Sequence, residues 1–307
     1  MTTVDKGQLI FSIIIPAYNY AHTLDRAIDS ILGQSGDDYE ILIIDDGSTD
    51  HTSKISDGYC QKFPKKIKYY LQDNQGPAAA RNYGVEFSVG KYIFFLDADD
   101  EMAPSLLDFL RKRILYRTDI DVFFGDHISV ASDGIAAYRA TSPLPQTHEK
   151  RFSAYILKKL HLSHCAKLLH RRVFEGVSYP IELRSSEDIP FMAQLLALYK
   201  CELVSVPMAI VHKHEDSLRH NTAYAMEVGE RVADHIFSFV ALPDWAAKYE
   251  KIYRARRCLS IFRTLYLSDH KKEALIFYKR ALFLSPFLAL RPGYIKKAIG
   301  GMVFWLR

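Results

Sequence analysis

Residues 91–101 read Lys-Tyr-Ile-Phe-Phe-Leu-Asp-Ala-Asp-Asp-Glu. The run from Tyr92 to Leu96 is continuously apolar, of strand length and rich in β-formers, which predicts a fully buried strand. It ends abruptly in Asp97, Asp99, Asp100 and Glu101, with only Ala98 between them. The charges begin where such a strand must leave the core. Open α/β sheets bind their ligands at the carboxyl ends of their strands. In an extended segment Asp97 and Asp99, two apart, point the same way. Unpaired they repel each other, and a hard divalent cation with oxygen ligands relieves that repulsion. A lone Asp-x-Asp is more often a solvated loop ahead of a helix, here one expected from Pro104. The rest of the chain decides between the two readings.

The same pattern occurs earlier. Leu9 to Ile15 reads as a buried strand, followed by a turn at Pro16, Ala17, Tyr18 and Asn19. Leu24, Ala27, Ile28, Ile31 and Leu32 then fall at helical spacing. Tyr39 to Ile44 is a second apolar strand, and it too ends in acids, Asp45 and Asp46. One of these two is expected to cap the following helix, which runs to about Gln61. Lys66 to Leu71 reads as a third strand, and Pro77 suits the first position of a helix through Phe87. The strand at 92–96 and the helix from Pro104 to Tyr116 follow, then a strand from Ile120 to Phe124. Alternating strands and helices predict an α/β fold with a mostly parallel sheet flanked by helices.

Later segments are less regular. Residues 127–149 suggest a hairpin and a linker. Lys167, Arg171 and Arg172 are expected to face solvent or to sit near an acceptor. Ser185 or Ser186 is placed to cap a helix through Leu196, with Glu187 and Asp188 in its first turn. Cys201 to Val206 reads as a short strand ahead of His212-Lys-His-Glu. From about Thr222 the chain reads as helical. Residues 271–280, 283–290 and 294–307 mix Phe, Leu and Trp with Lys and Arg in the manner of basic amphipathic helices. The expected division is an α/β domain over 1–215 and a helical region over 216–307.

Composition removes several classes. A net charge of +4 over 307 residues is too mild to argue for nucleic acid. There is no GxGxxG after the first strand and no GxxxxGK[ST], so neither a dinucleotide fingerprint nor a P-loop is present. Cys60, Cys165, Cys201 and Cys258 are far apart, as expected of reduced thiols in a cytosolic protein. No apolar run reaches the ~18 residues of a membrane span.

Five elements together resemble glycosyltransferase family 2, the inverting sugar transferases of GT-A fold. They are Ile-Ile-Ile-Pro-Ala-Tyr-Asn (13–19), Ile-Asp-Asp-Gly-Ser-Thr-Asp (44–50), Asn-Gln-Gly-Pro-Ala-Ala-Ala-Arg-Asn (74–82), Phe-Leu-Asp-Ala-Asp-Asp (95–100) and Ser-Glu-Asp (186–188). Each is weak alone, but all five occur in order over residues 9–215. The resemblance implies a nucleotide-sugar donor, most often with uracil, and a Rossmann-like sheet with a C-terminal helical region. It implies that Pro16, Ala17 and Tyr18 line the nucleotide pocket, that Asp46 accepts from the base and that Arg81 lies near base or diphosphate. Asp97 is implied on the ribose side, Asp99 as ligand to Mg²⁺ or Mn²⁺, and Asp188 as the general base. Glu187 is its neighbour. A histidine that reaches the metal or diphosphate is either His212 or His214, with Lys213 or Arg219 as diphosphate partners. The acceptor is expected to be a glycan or lipid-linked saccharide of surface-polysaccharide assembly, with the basic tail against an anionic membrane on its cytoplasmic face.

Two other readings compete. Asp-Ala-Asp after an apolar strand superficially resembles the haloacid-dehalogenase-type phosphatases. There the motif follows the first strand and continues with Thr or Val, whereas here it follows the fourth and continues Asp-Glu-Met. The other is a sugar-nucleotide-binding or scaffold protein that keeps the fold without catalysis.

Overall fold

A computed structural model of the protein describes residues 9–213 and 226–305. The chain divides into two compact units. Residues 149–159 and 182–198 cluster with 216–307 in the second, and the remainder of 1–215 forms the first.

The first unit opens with β1 (Phe11–Ala17), α1 (Ala21–Leu32), β2 (Tyr39–Asp45), α2 (Thr52–Lys62), β3 (Ile67–Leu71), α3 (Pro77–Phe87) and β4 (Tyr92–Phe95). It continues with β5 (Glu101–Met102), α4 (Leu106–Tyr116), β6 (Val122–Val130) and β7 (Ala136–Arg139). After α5 (His148–Ile156) come β8 (Lys167–His170), α6 (Asp188–Leu198) and β9 (Cys201–His212), of which α5 and α6 belong almost wholly to the second unit. Among the described residues the strands form one sheet in the order β3-β2-β1-β4-β8-β6-β9-β5, with β7 on β6. β1 pairs in parallel with both β2 and β4. β8 is antiparallel to its neighbours β4 and β6, and β5 is antiparallel to β9.

Burial explains why the central strands form. Every residue of β2 and of β4 is buried, as parallel strands covered on both faces require. Ile13, Ile15, Ile41, Ile43 and Phe94 share one core cluster with Leu24, Ala27, Ile28 and Ile31 of α1 and Leu106, Leu107 and Leu110 of α4. Glu40 and, at the carboxyl end, Asp45 are the polar residues of β2, and Glu40 is fully engaged. Its buried carboxylate accepts from Ser12 Oγ (2.7 Å), Val89 N (2.6 Å) and Lys68 Nζ (2.9 Å). These bonds hold its carboxyl below the usual range although burial pulls the other way. The turn into β4 depends on Gly90, where a Cβ would lie 2.5 Å from Ser12 N and 2.6 Å from the carbonyl carbon of Phe11.

Several elements differ from expectation for local reasons. The helix expected from Pro104 starts at Leu106, because Ser105 is left-handed (φ 58°). β5 has two residues, too few for any periodicity to register. β9 continues to His212 through Pro207, which sits opposite Asp126 at a register shift, one of the few places a strand tolerates proline. α2 is not capped by Asp45 or Asp46. It begins six residues beyond them, and Asp50 Oδ1 instead accepts from Thr52 N at 2.9 Å. Lys167 is not at the surface: it is 1% exposed, with Nζ 3.1 Å from His164 Nδ1. Arg171 donates to Gly90 O and Ser88 Oγ, and Arg172 pairs with Asp121, so all three tie β8 into the sheet.

The second unit is helical and is built on two cores. One joins Phe152 and Ile156 of α5 with Ala193 and Ala197 of α6, and with Val232, Ala233 and Ile236 of the helix Arg231–Phe237. The other packs Cys258, Leu259, Phe262 and Leu265 of the helix Glu250–Leu267 against Ala274, Tyr278, Ala281 and Leu284 of the helix Lys271–Leu284. The apolar stripes of these helices thus pack on each other. Phe283, Phe287, Leu290 and Ile299 remain exposed. Among the described residues no helix is long and apolar enough to cross a membrane.

Candidate active site

The carboxyl ends of β2, β1 and β4 lie side by side, with Ala17 opposite Asp45 in the register. Six of the sequence-predicted positions, Pro16, Ala17, Tyr18, Asp46, Asp97 and Asp99, lie at these ends. Pro16 and Ala17 close β1, and Tyr18 beyond them is 46% exposed. Asn19, left-handed at φ 60°, donates its N–H to Ser48 Oγ (2.9 Å), and its Oδ1 accepts from Thr49 N (2.8 Å). These two bonds lash the loop after β1 to the loop after β2.

Asp46 is 4% exposed. Its Oδ1 accepts from Gln72 Nε2 (2.7 Å) and Gln75 N (2.9 Å), and its Oδ2 accepts from Gly76 N (2.8 Å). It therefore fixes the segment that leads into α3. Gly76 enters that helix at φ 91°, ψ 169°, a conformation open only to glycine. The position of α3 in turn sets Arg81. Its Nη2 donates to Asp97 Oδ1 at 3.0 Å, and its guanidinium lies 5.4 Å from the centre of the Tyr179 ring. Asn82 holds the Tyr179 backbone by two hydrogen bonds, at 2.8 and 3.0 Å.

Asp97, Asp99 and Asp100 crowd the end of β4. Asp100 is buried, and its carboxyl is pushed up to about 8, first by burial and then by the charges of Asp97 and Asp99. The His212 N–H, donating to its Oδ1 at 3.0 Å, and the Arg26 charge oppose that rise. Arg26 Nη2 also donates to Asp99 O at 2.5 Å. The His212 ring faces Glu101, with Nε2 2.7 Å from Oε1. Lys213 donates its N–H to Val130 O. His214 and Arg219 lie outside the described residues. Glu187 is buried and Asp188 is the first residue of α6; both belong to the second unit. There the Asp188 charge acts on Arg257 and on Tyr253, whose hydroxyl is pushed up to about 12 mainly by burial.

Hard oxygen donors at the end of β4 suit Mg²⁺ or Mn²⁺. Among the described residues no three His, Cys, Asp or Glu side chains are gathered to hold a metal by themselves. A cation bound there would be held by one or two carboxylates, with ligand and water oxygens completing its shell. Sequence reasoning missed Arg26, Tyr179 and the roles of Asp100 and Glu101. The two acids carried a signal, since they extend the acidic run after β4. Arg26 and Tyr179 reach the site only through tertiary packing.

A doubly flanked, mostly parallel sheet with carboxylates at the tips of adjacent strands defines a GT-A-type domain. The chain belongs to glycosyl transferase family 2, whose sequence profile matches residues 12–177. A glycosyltransferase of Rickettsia felis is 52% identical over 89 residues, which are 29% of this chain and 14% of the relative. The glycosyltransferase EpsJ of Bacillus subtilis is 28% identical over 197 residues, covering 59% of this chain and 54% of EpsJ. The chain thus spans only a fraction of the length of the curated relatives it matches. Among solved structures, S. aureus TarS 1–349 in complex with UDP-GlcNAc superposes with a TM-score of 0.69 at 22% identity, over 95% of this chain and 89% of that one. The same protein in complex with UDP gives 0.67 at 20% identity. At such identity the likeness establishes the fold.

Proposed function

We propose that the protein transfers a sugar from a nucleotide-sugar donor, a UDP-sugar, to a hydroxyl of a glycan or lipid-linked acceptor with inversion. The observation that carries this reading is the gathering of Tyr18, Asp46, the Arg81–Asp97 pair and Asp99 around the tips of β1, β2 and β4. TarS, of the same fold, is known with UDP and with UDP-GlcNAc. In this reading exposed Tyr18 stacks on the base, which also reaches the Oδ2 side of Asp46. Arg81 and Asp97 orient the ribose side. Asp99 would hold Mg²⁺ or Mn²⁺, and such an ion would supply positive charge against the departing diphosphate. Asp188 removes the proton from the acceptor hydroxyl as its oxygen bonds to the anomeric carbon and the bond to the diphosphate oxygen breaks. General-base help of this kind contributes ~10²–10⁴-fold. His212 or His214, with Lys213 or Arg219, serves the diphosphate, and Glu187 supports Asp188.

Residues 1–215 are the proposed catalytic part, and 216–307 the part that meets the acceptor or an anionic cytoplasmic membrane face in polysaccharide assembly. A panel of nucleotide sugars, read by donor hydrolysis with and without Mn²⁺, tests this. Turnover of one UDP-sugar by the wild type but not by Asp99→Asn is the expected result. Absence of sugar-nucleotide binding across the panel would overturn it.

A further inference from the structure

The second unit carries a cluster of cations that the donor-site assignment leaves unused. Along the helix Glu250–Leu267, Arg256, Ser260 and Arg263 fall at i, i+4 and i+7, so they form one stripe. With Lys158, Arg291 and Tyr294 they line a cleft of about 250 Å³. A second hollow of about 200 Å³ shares Arg263, Arg291 and Tyr294 and adds Gly293 and Lys297. Among the described residues no carboxylate lines either hollow. Elsewhere on the same helix the positive charge is neutralised: Arg254 pairs with Glu230, Asp234 and Glu250. Among the described residues Lys158, Arg256, Arg263, Arg291 and Lys297 have no acidic partner.

We infer that this cleft is a phosphate-binding site, with Lys158, Arg256, Arg263 and Arg291 as its cationic wall. Guanidinium groups grip phosphate oxygens in pairs, which an ammonium cannot do. Arg256 donates through Nη1 to Leu157 O at 2.8 Å, and among the described residues its buried Nε has no acceptor. Gly293, in the first turn of the helix Pro292–Trp305, leaves open space at one wall. The amino end of that helix adds its own positive field there. The ammonium of Lys158, whose residue is exposed at the surface, is pushed below its ordinary value by partial desolvation and by the like charges of Arg257 and Arg256, and a bound anion relieves that repulsion. The phosphate has two possible sources, a soluble phosphoester or a lipid headgroup. The exposed Phe287 beside Arg291 and the exposed Leu290 would meet the acyl region in the second case.

The site shares no residue with the donor assignment and does not depend on it. The test uses the full chain with glycerol 3-phosphate, by calorimetry, and with phosphatidylglycerol or phosphatidylcholine vesicles, by flotation. Near an anionic surface each cation is worth roughly fivefold, so Arg263→Ala with Arg291→Ala should weaken binding about thirtyfold. Both side chains are exposed, and the urea midpoint should stay put. Lys251→Ala with Lys296→Ala, two exposed cations outside the cleft, should leave affinity unchanged, as should Asp99→Asn. Binding of glycerol 3-phosphate supports a site for soluble phosphoesters. Binding of phosphatidylglycerol vesicles alone, lost in the Arg263/Arg291 variant, supports a lipid headgroup. The inference is overturned by binding in neither arm, or by equal weakening in both double variants. Failure of the donor reading would show separately, as UDP-sugar turnover unchanged by Asp99→Asn.

Discussion

Asp46→Asn separates the two tasks that converge on one side chain. The amide must place its NH₂ on one of the two oxygen positions. At the Oδ1 position it would face both Gln72 Nε2 and Gln75 N, and at the Oδ2 position only Gly76 N. The second choice is the cheaper. It leaves one buried N–H facing another donor, which costs roughly 1–3 kcal/mol, and it turns two charge-assisted bonds into neutral ones at about half their strength. The sum is a loss of about 2–4 kcal/mol, read as a shift of the urea midpoint at constant slope. Because these bonds position the entry to α3, and α3 carries Arg81, UDP affinity measured by calorimetry should fall at least ~10-fold, or about 1.4 kcal/mol. A variant that unfolds within ~0.5 kcal/mol of wild type, the range of ordinary surface changes, would refute the claim that Asp46 builds the loop, whatever happens to UDP.

Gly90→Ala puts its Cβ against the backbone of Phe11 and Ser12. No rotamer relieves that contact, so a loss of at least ~2–3 kcal/mol, or failure to accumulate folded, should be seen by urea unfolding. His170 is pushed down to about 4 by burial, with Arg172 and Lys91 adding. The folded chain keeps this ring neutral while the unfolded chain protonates near 6.5, so its contribution is present above 6.5 and is lost as pH falls towards 4. The full shift is worth ~3.4 kcal/mol, cut by the solvent around a half-buried ring. The drop in stability from pH 7 to 5 should therefore shrink by about 1 kcal/mol in His170→Gln. Asp188→Asn should lower transfer ~10²–10⁴-fold while UDP-sugar affinity by calorimetry changes less than twofold. Full transfer by this variant would remove Asp188 as the base.

Much of the first unit was legible because its central strands are uniformly apolar and its helices are cleanly periodic. The helix expected at Pro77 through Phe87 is found with those bounds. The strands that escaped notice are those whose partners lie far away in sequence. β8, four residues long, exists because it fills the gap between β4 and β6, and nothing within Lys167–His170 announces that. The buried charge of Lys167 misled for the same reason. A lysine a few residues ahead of two arginines reads as surface, and only the fold supplies His164 and the Phe95 ring. Of the site, the residues at strand tips were visible because a charge directly after a buried strand violates binary patterning. Arg26, on the helix after β1, obeys its local pattern and gave no such sign.

Departures from local rules concentrate at one end of the sheet, and this ties the fold to the proposed chemistry. Asn19, Gly47 and Gly76 all have positive φ, and they belong to the loops around Asp46. Asp100, a buried carboxyl beside two others, is held up to about 8. The opposite, amino ends of β1 and β4 show Glu40 with every buried oxygen contact favourable. A sequence optimised for stability alone would not crowd three acids behind Leu96 or force Asn19 into the left-handed region. Each such feature costs of order 1–3 kcal/mol and persists only where the surroundings over-determine it. The network that over-determines it is the Asn19–Ser48–Thr49 lashing and the Asp46 hub. A ligand that supplies positive charge to the end of β4 would relieve the repulsion among Asp97, Asp99 and Asp100. On the proposed reading, the site would be less stable empty than filled.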